Sequence, residues 1–176
     1  MTTRLASARM AGTSTRALEA LVRRGVAHIV HEYDPHQPAS RAREQVTGWG
    51  QAAASALGVD PRRIHKTLVA SVDERLVVAV VPVAAELDLK RLAAAVGGRR
   101  AVMADPSEAE RATGYVRGGI SPLGQRRSLP TVIDADSLLH ETILVSAGRR
   151  GLQVELAPGD LARLLGATVA GISRRG

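Results

Sequence analysis

The chain has 176 residues, 45% of them hydrophobic, and sets 24 Lys and Arg against 17 Asp and Glu for a net charge of +7. With no Cys and no Phe, it excludes disulfides, thiolate metal sites and a cysteine nucleophile, and its core must come from Val, Leu, Ile and Ala. No apolar run approaches the roughly 20 residues of a membrane span and residues 1–13 hold no signal-peptide apolar region, so the expectation is one cytoplasmic domain whose basic charge suits a polyanion, nucleic acid first.

Residues 1–13, rich in Arg, Ser and Thr without acids, read as a disordered tail ahead of a domain spanning 14–176. Ala17, Leu18, Leu21 and Val22 make one helical stripe ended by Gly25, which predicts a helix from Ser14 to Arg24. A strand follows from His28 to Tyr33 and stops at Asp34-Pro35. His28, His31 and His36 invite a metal reading, but a strand directs 28 and 31 to opposite faces and no carboxylate spacing supports them; no metal or other cofactor is expected.

Gln37–Thr47 reads as a polar loop and Trp49–Leu57, rich in Ala, as a helix closed by Gly58. Lys66–Asp73 and Leu76–Val81 predict a hairpin turning at Asp73-Glu74-Arg75 and ended by Pro82. Among 24 basic residues lysine stands only at 66 and 90. Either that is chance, or Lys66 is kept for its compact point charge, which the planar guanidinium does not replace.

Asp88–Val96 reads as an amphipathic helix ending at Gly97-Gly98, and Arg100–Met103 as a short strand. Asp105-Pro106-Ser107-Glu108 is a helix start, with a capping carboxylate and Pro at the first helical position. That explains Asp105, Glu108 and Glu110 structurally, without acid–base roles. After the segment Thr113–Leu129, strands are expected at Pro130–Asp134, Thr142–Ser146 and Gln153–Leu156, with a turn around Arg149 and Arg150. A last helix runs from Pro158 through Leu165, and Val169–Ile172 closes the fold. His140, Asp134 and Ser146 form a triad on paper only, since no motif surrounds them. The expected fold class is α/β: a single-domain mixed sheet, mostly antiparallel, curled towards a barrel with helices packed outside.

The segment Thr113–Leu129 (TGYVRGGISPLGQRRSL) organises the chain. Its glycines free the backbone, so the N–H groups of Gly118, Gly119, Ile120 and Ser121 can converge on one acceptor, while Pro122 stiffens the exit. A hairpin turn is the plainer reading of the same residues. Gly119 and Gly124 have Walker-like separation, but Gln125 and Arg126 replace the Lys and Ser or Thr of a P-loop. Ser121 is a poor nucleophile candidate, because Pro122 lacks the N–H that builds an oxyanion hole after a nucleophile elbow.

Taken together, Lys66-Thr-Leu-Val, Pro82-Val-Ala, Leu87-Asp-Leu-Lys90, Met103-Ala-Asp-Pro106, Thr113-Gly-Tyr115, Gly118-Gly-Ile-Ser-Pro-Leu-Gly124, Leu129-Pro-Thr131 and Arg150-Gly-Leu152 resemble, in order and spacing, the YbaK/EbsC family. These are free-standing aminoacyl-tRNA editing proteins, typified by Cys-tRNA(Pro) deacylase and related to the editing domain of bacterial prolyl-tRNA synthetases. The resemblance spans Gly25 to Ile172. It implies that Lys66 holds the terminal adenosine or its phosphate, and that the loop Gly118–Pro122 binds the aminoacyl carbonyl through its N–H groups. Tyr33 and Trp49 fall where relatives carry aromatic residues near the substrate, and the resemblance implies that Thr113, Gly114 and Pro122 bind substrate with them. Some members carry an acidic residue where this chain has Gln153, a position facing the substrate ammonium; the neutral amide puts the preferred amino acid in question.

The implied activity is hydrolysis of mischarged tRNA, Cys-tRNA(Pro) foremost, with the substrate's own thiol as attacking group and prolyl-tRNA synthetase as a transient partner. The alternatives are water-mediated editing of another misacylated tRNA and a non-catalytic module binding tRNA or a synthetase.

Overall fold

The computed structural model describes residues 14–36 and 48–176; the expected tail (1–13) and polar loop (37–47) lie outside them. In chain order the elements are α1 (Arg16–Arg23), β1 (Ile29–Glu32), α2 (Trp49–Leu57), β2 (His65–Val72), β3 (Arg75–Pro82), β4 (Ala85–Leu87), α3 (Leu89–Ala95), β5 (Ala101–Met103), α4 (Pro106–Thr113), β6 (Thr131–Asp134), β7 (Ile143–Ser146), β8 (Leu152–Leu156), α5 (Pro158–Leu165), β9 (Thr168–Ala170) and β10 (Ser173–Arg175). A short 3-10 turn, Ala135–Leu139, joins β6 to β7.

Strand β3 is the centre. Val78 and Val80 point into one apolar cluster and Val77, Ala79 and Val81 into another, so the unbroken apolar run is that of a strand covered on both faces. Its partners give a five-stranded sheet ordered β5-β2-β3-β6-β9, antiparallel through β2 and parallel at β3–β6 and β6–β9. One face packs Ala17, Leu18 and Leu21 of α1 and Leu161 of α5 together with Val145, Leu152 and Val154. The other receives Leu92 and Ala93 of α3 with Ile172.

Strands β1, β8 and β7 form a second, antiparallel sheet, and β10 pairs with β4 as a third. The mixed, mostly antiparallel α/β architecture is as expected, but the described strands form no closed barrel. Among the described residues a single bridge, Ile64 to Leu144, links β2's entrance to β7, and one bridge does not close a barrel. The predicted hairpin turn is present, with Asp73 and Glu74 at φ 47° and 68°. Both central residues are left-handed, as a two-residue turn matched to strand twist requires. Asp73 also accepts the N–H groups of Arg99 and Arg100, tying the turn to the entrance of β5.

Two supports set the glycine loop. Asp105 caps α4 by accepting from Ser107 and Glu108, and α4 ends at Gly114 in the left-handed conformation, which a side chain rarely adopts. The chain then folds back: Arg126 N–H and Arg127 N–H donate to the carbonyls of Thr113 and Ala112. At the second turn, a Cβ on Gly124 would lie 2.5 Å from the Arg16 carbonyl oxygen. Only glycine lets the loop rest on α1 there.

Candidate functional site

Lys66, on β2, and the loop of Gly118 open onto one cavity of about 530 Å³, whose walls also include Trp49, Thr67, Glu110, Ile120, Ser146 and Gln153. Lys66 is half-buried. Burial pushes its ammonium pKa down from the ordinary lysine value, and the Glu86 carboxylate pulls it partway back. Among the described residues its amine has no hydrogen bond or ion pair, so an anionic ligand would supply the missing partner.

The loop is shaped by close approaches rather than by slack. Gly118 has φ 88°, and a Cβ there would meet the Trp49 indole and the Arg150 guanidinium at 2.9 Å. A Cβ on Gly119 would lie 2.9 Å from the Arg149 Cα. The loop therefore lies against the β7–β8 turn with no room for side chains. Arg150 stacks on the Trp49 ring at 4.2 Å and donates from Nε and Nη2 to the Arg117 carbonyl at 3.0 and 2.7 Å. From the other side Glu110 Oε1 accepts the Arg117 N–H at 2.9 Å.

The expected convergence of four amides is narrower in fact. The Gly119 N–H donates to the Val116 carbonyl at 2.9 Å, closing the turn, and so is not free for substrate. Gly118, Ile120 and Ser121 N–H groups have no acceptor among the described residues, and Gly118 and Ile120 line the cavity. Ser121 is fully buried, its Oγ accepting the Leu123 N–H and its carbonyl held by the Gln125 amide. That disposition suits a scaffold and no nucleophile. Pro122 is buried behind the loop.

Thr113 and Gly114, expected to touch substrate, act behind the wall instead. Thr113 Oγ1 donates to the Ala109 carbonyl and accepts the Tyr115 N–H; the carbonyls of Thr113 and Gly114 accept from Arg16. Tyr33 packs against the cluster of Ala53, Ile64 and Leu144 and is not among the cavity's walls. Burial pushes its phenol pKa up, with Gln153 beside it acting the other way. Trp49 and Gln153 do reach the cavity. Gln153 is only 7% exposed, and its Oε1 has no hydrogen-bond partner among the described residues. A buried, unpaired amide oxygen facing a cavity can accept from a ligand ammonium or hydroxyl.

Three residues at the site were not singled out from the sequence: Arg150, Glu110 and His65. Arg150 and Trp49 are far apart in the chain, so no spacing pairs them, and Glu110 passed for helix chemistry. His65 donates from Nδ1 to the Arg63 carbonyl and accepts at Nε2 from the Ser137 hydroxyl at 2.7 Å. Burial lowers its pKa to about 4, so the ring is neutral. The paper triad is dispersed: Asp134 accepts the N–H groups of Ile172 and Ser173, and Ser146 Oγ accepts that of Gly148. His31 bonds to Glu155 and His28 to the Val26 carbonyl, so both imidazoles serve local structure.

Residues 44–164 match the family model described as the aminoacyl-tRNA editing domain. Over 127 residues the chain is 41% identical to a protein of Enterococcus faecalis provisionally named the Cys-tRNA(Pro)/Cys-tRNA(Cys) deacylase EbsC, the match covering 71% of this chain and 77% of that one. A crystal structure described as that of a provisional trans-editing enzyme for prolyl-tRNA synthetase is similar at a TM-score of 0.76 and 27% identity, over 94% of this chain and 99% of that one. The structure of a hypothetical protein, APE2540, is similar in fold at a TM-score of 0.77 and 24% identity, covering 91% and 100% respectively.

Proposed function

The chain belongs to the aminoacyl-tRNA editing domain family, and from that premise we propose that it is a deacylase cleaving the ester of mischarged tRNA, with Cys-tRNA(Pro) its foremost substrate. The observation that carries this reading is one cavity lined both by Lys66, whose ammonium has no partner among the described residues, and by Gly118 and Ile120, whose amides have no acceptor among them. The phosphate and ribose of the terminal adenosine take the Lys66 side. The ester carbonyl takes the loop side, where preset N–H groups stabilise a developing oxyanion at no reorganisation cost.

Cleavage needs no side-chain nucleophile. The cysteinyl thiol attacks its own ester carbonyl, a C–S bond forms, the bond to the ribose oxygen breaks, and the thiol proton ends on the departing ribose hydroxyl; water then opens the released thiolactone. Such an intramolecular step asks the protein for orientation and oxyanion stabilisation. Cysteine and proline are close enough in size that a synthetase pocket discriminates poorly between them, and a second hydrolytic site is the remedy. Prolyl-tRNA synthetase is the partner this reading assigns.

Gln153 favours a second reading, water-mediated editing of a different aminoacyl ester, because a neutral amide attracts the substrate ammonium less than a carboxylate would. Hydrolysis of Cys-tRNA(Pro) beside Ala-tRNA(Pro) and Pro-tRNA(Pro) distinguishes them. Loss of the cysteinyl ester alone supports thiol assistance, and loss of the alanyl ester first supports water. Binding without loss of any ester would leave a tRNA-binding module.

A further inference from the structure

One stretch of β2 is left without a partner among the described residues, and it borders the cavity. In antiparallel sheets, alternate residues turn both N–H and C=O to the same neighbour. The Val78 N–H donates to the Pro130 carbonyl on the β6 side, so Val69, paired with Val78, turns its backbone away from β3. The Val69 carbonyl accordingly accepts the Ala104 N–H at 3.1 Å, and the Asp73 N–H donates to the Arg100 carbonyl on the same side. Thr67, two residues before Val69 and opposite Val80, has the same sense. Yet β5 pairs only with Ala70, Ser71 and Val72.

The Thr67 N–H, the Thr67 carbonyl and the Val69 N–H therefore face outward in a row, and the Val69 N–H has no acceptor among the described residues. Thr67 and Val69 both line the cavity that holds Lys66 and Gly118. The Thr67 Oγ1 is buried there and also unpaired among the described residues. Polar groups so placed carry a desolvation cost unless a ligand answers them. The gap is short: the bridge of Ile64 to Leu144 closes one end and Ala104 the other. At about 3.3 Å per residue the stretch from Ile64 to Val69 spans roughly 16 Å, and the open groups from the Thr67 N–H to the Val69 N–H take up about 7 Å of it, the width of one flat heterocycle.

We propose that this open edge of β2 reads the Watson–Crick edge of the terminal adenine, the Thr67 carbonyl accepting from N6 and the Val69 N–H donating to N1. The inference rests on the editing reading above for the identity of the base. It gives that site a register: an adenine held by main-chain groups beside Lys66 fixes how far its ribose ester extends towards the Gly118 loop.

The test uses acceptor-stem minihelices chemically charged with cysteine and ending in adenosine, 1-deazaadenosine, purine riboside or 7-deazaadenosine. Affinity of the uncharged stems is measured beside deacylation of the charged ones. Removing N1 or the N6 amine should each weaken binding and kcat/KM by about tenfold, the scale of one lost hydrogen bond in a buried site. The 7-deaza base keeps the edge and should stay within about twofold of adenosine. Equal behaviour of all four stems in both measurements overturns the proposal, as does a loss confined to the 7-deaza stem. If the affinity ranking holds and no ester is cleaved, the adenine site stands and the deacylase reading fails; if every ester is cleaved alike, the reverse is true.

Discussion

The Glu110 carboxylate accepts the Arg117 N–H at 2.9 Å, so helix α4 grips the glycine loop one residue before Gly118. On the opposite side Arg150 takes the carbonyl of the same Arg117. Arg117 is thus held at both its donor and its acceptor, which fixes the two peptides that flank it, and Gly118 inherits the orientation. Glu110→Ala should lower kcat by about tenfold, since misplacing catalytic groups is costly even when contacts are distant. Glu110→Gln, which keeps an acceptor, should retain most activity. Single-turnover deacylation separates the two, with melting temperatures confirming that both fold.

Gly119 is defined by what surrounds it. A Cβ there meets the Arg149 Cα at 2.9 Å and the Arg150 nitrogen at 3.1 Å, all backbone. Gly119→Ala should destabilise by about 1–3 kcal/mol and abolish most deacylation by pushing the loop off the β7–β8 turn. Gly171→Ala, where nothing lies within 4 Å, is the control and should leave both properties near wild type. Chemical denaturation and the deacylation assay check the pair.

Arg150 is not replaceable by lysine. Its planar fork donates twice to Arg117 while its face lies 4.2 Å from the Trp49 ring, and an ammonium cannot do both. Arg150→Lys should raise KM several-fold. Combined with Trp49→Leu it should cost less than the sum of the single changes, because both remove one stack. Steady-state kinetics of the double-mutant cycle measure this.

His65 gives a pH signature of stability. Its pKa falls from the ordinary 6.5 to about 4 on burial, so the unfolded chain holds the proton more tightly than the folded one. The contribution is complete above pH 6.5 and is lost as the pH falls towards 4, at the limit about 3 kcal/mol. Urea unfolding at pH 7, 5.5 and 4.5 should show this loss, and His65→Gln should flatten the slope between those values.

Much of this was legible in the chain. The unbroken Leu76–Val81 run, the Asp105-Pro106 helix start and the glycine spacing each have one strong local cause, and each appears where expected. What escaped depends on distant residues meeting. The strand Ser173–Arg175 carries two exposed arginines and no alternation, so only its partner β4 defines it. Arg149 and Arg150 read only as a turn, because nothing local tells that Trp49 lies beneath one of them. Thr113 and Gly114 lie in the motif with the loop, yet sequence proximity did not reveal that they brace the wall rather than face the cavity. The Gly119 amide was expected at the substrate for the same reason, and a turn bond to Val116 uses it instead.

The central claim is that Lys66 and the Gly118 loop together cleave a cysteinyl ester. The direct measurement is the hydrolysis rate of preformed Cys-tRNA(Pro) by the wild-type protein and by Lys66→Ala, with Ala-tRNA(Pro) and Pro-tRNA(Pro) alongside. The account predicts rapid loss of the cysteinyl ester alone, reduced at least about a hundredfold in the variant, the scale on which one electrostatic partner of a reacting group acts. A cysteinyl ester that survives the wild-type protein, or one hydrolysed equally fast without the Lys66 ammonium, would contradict it.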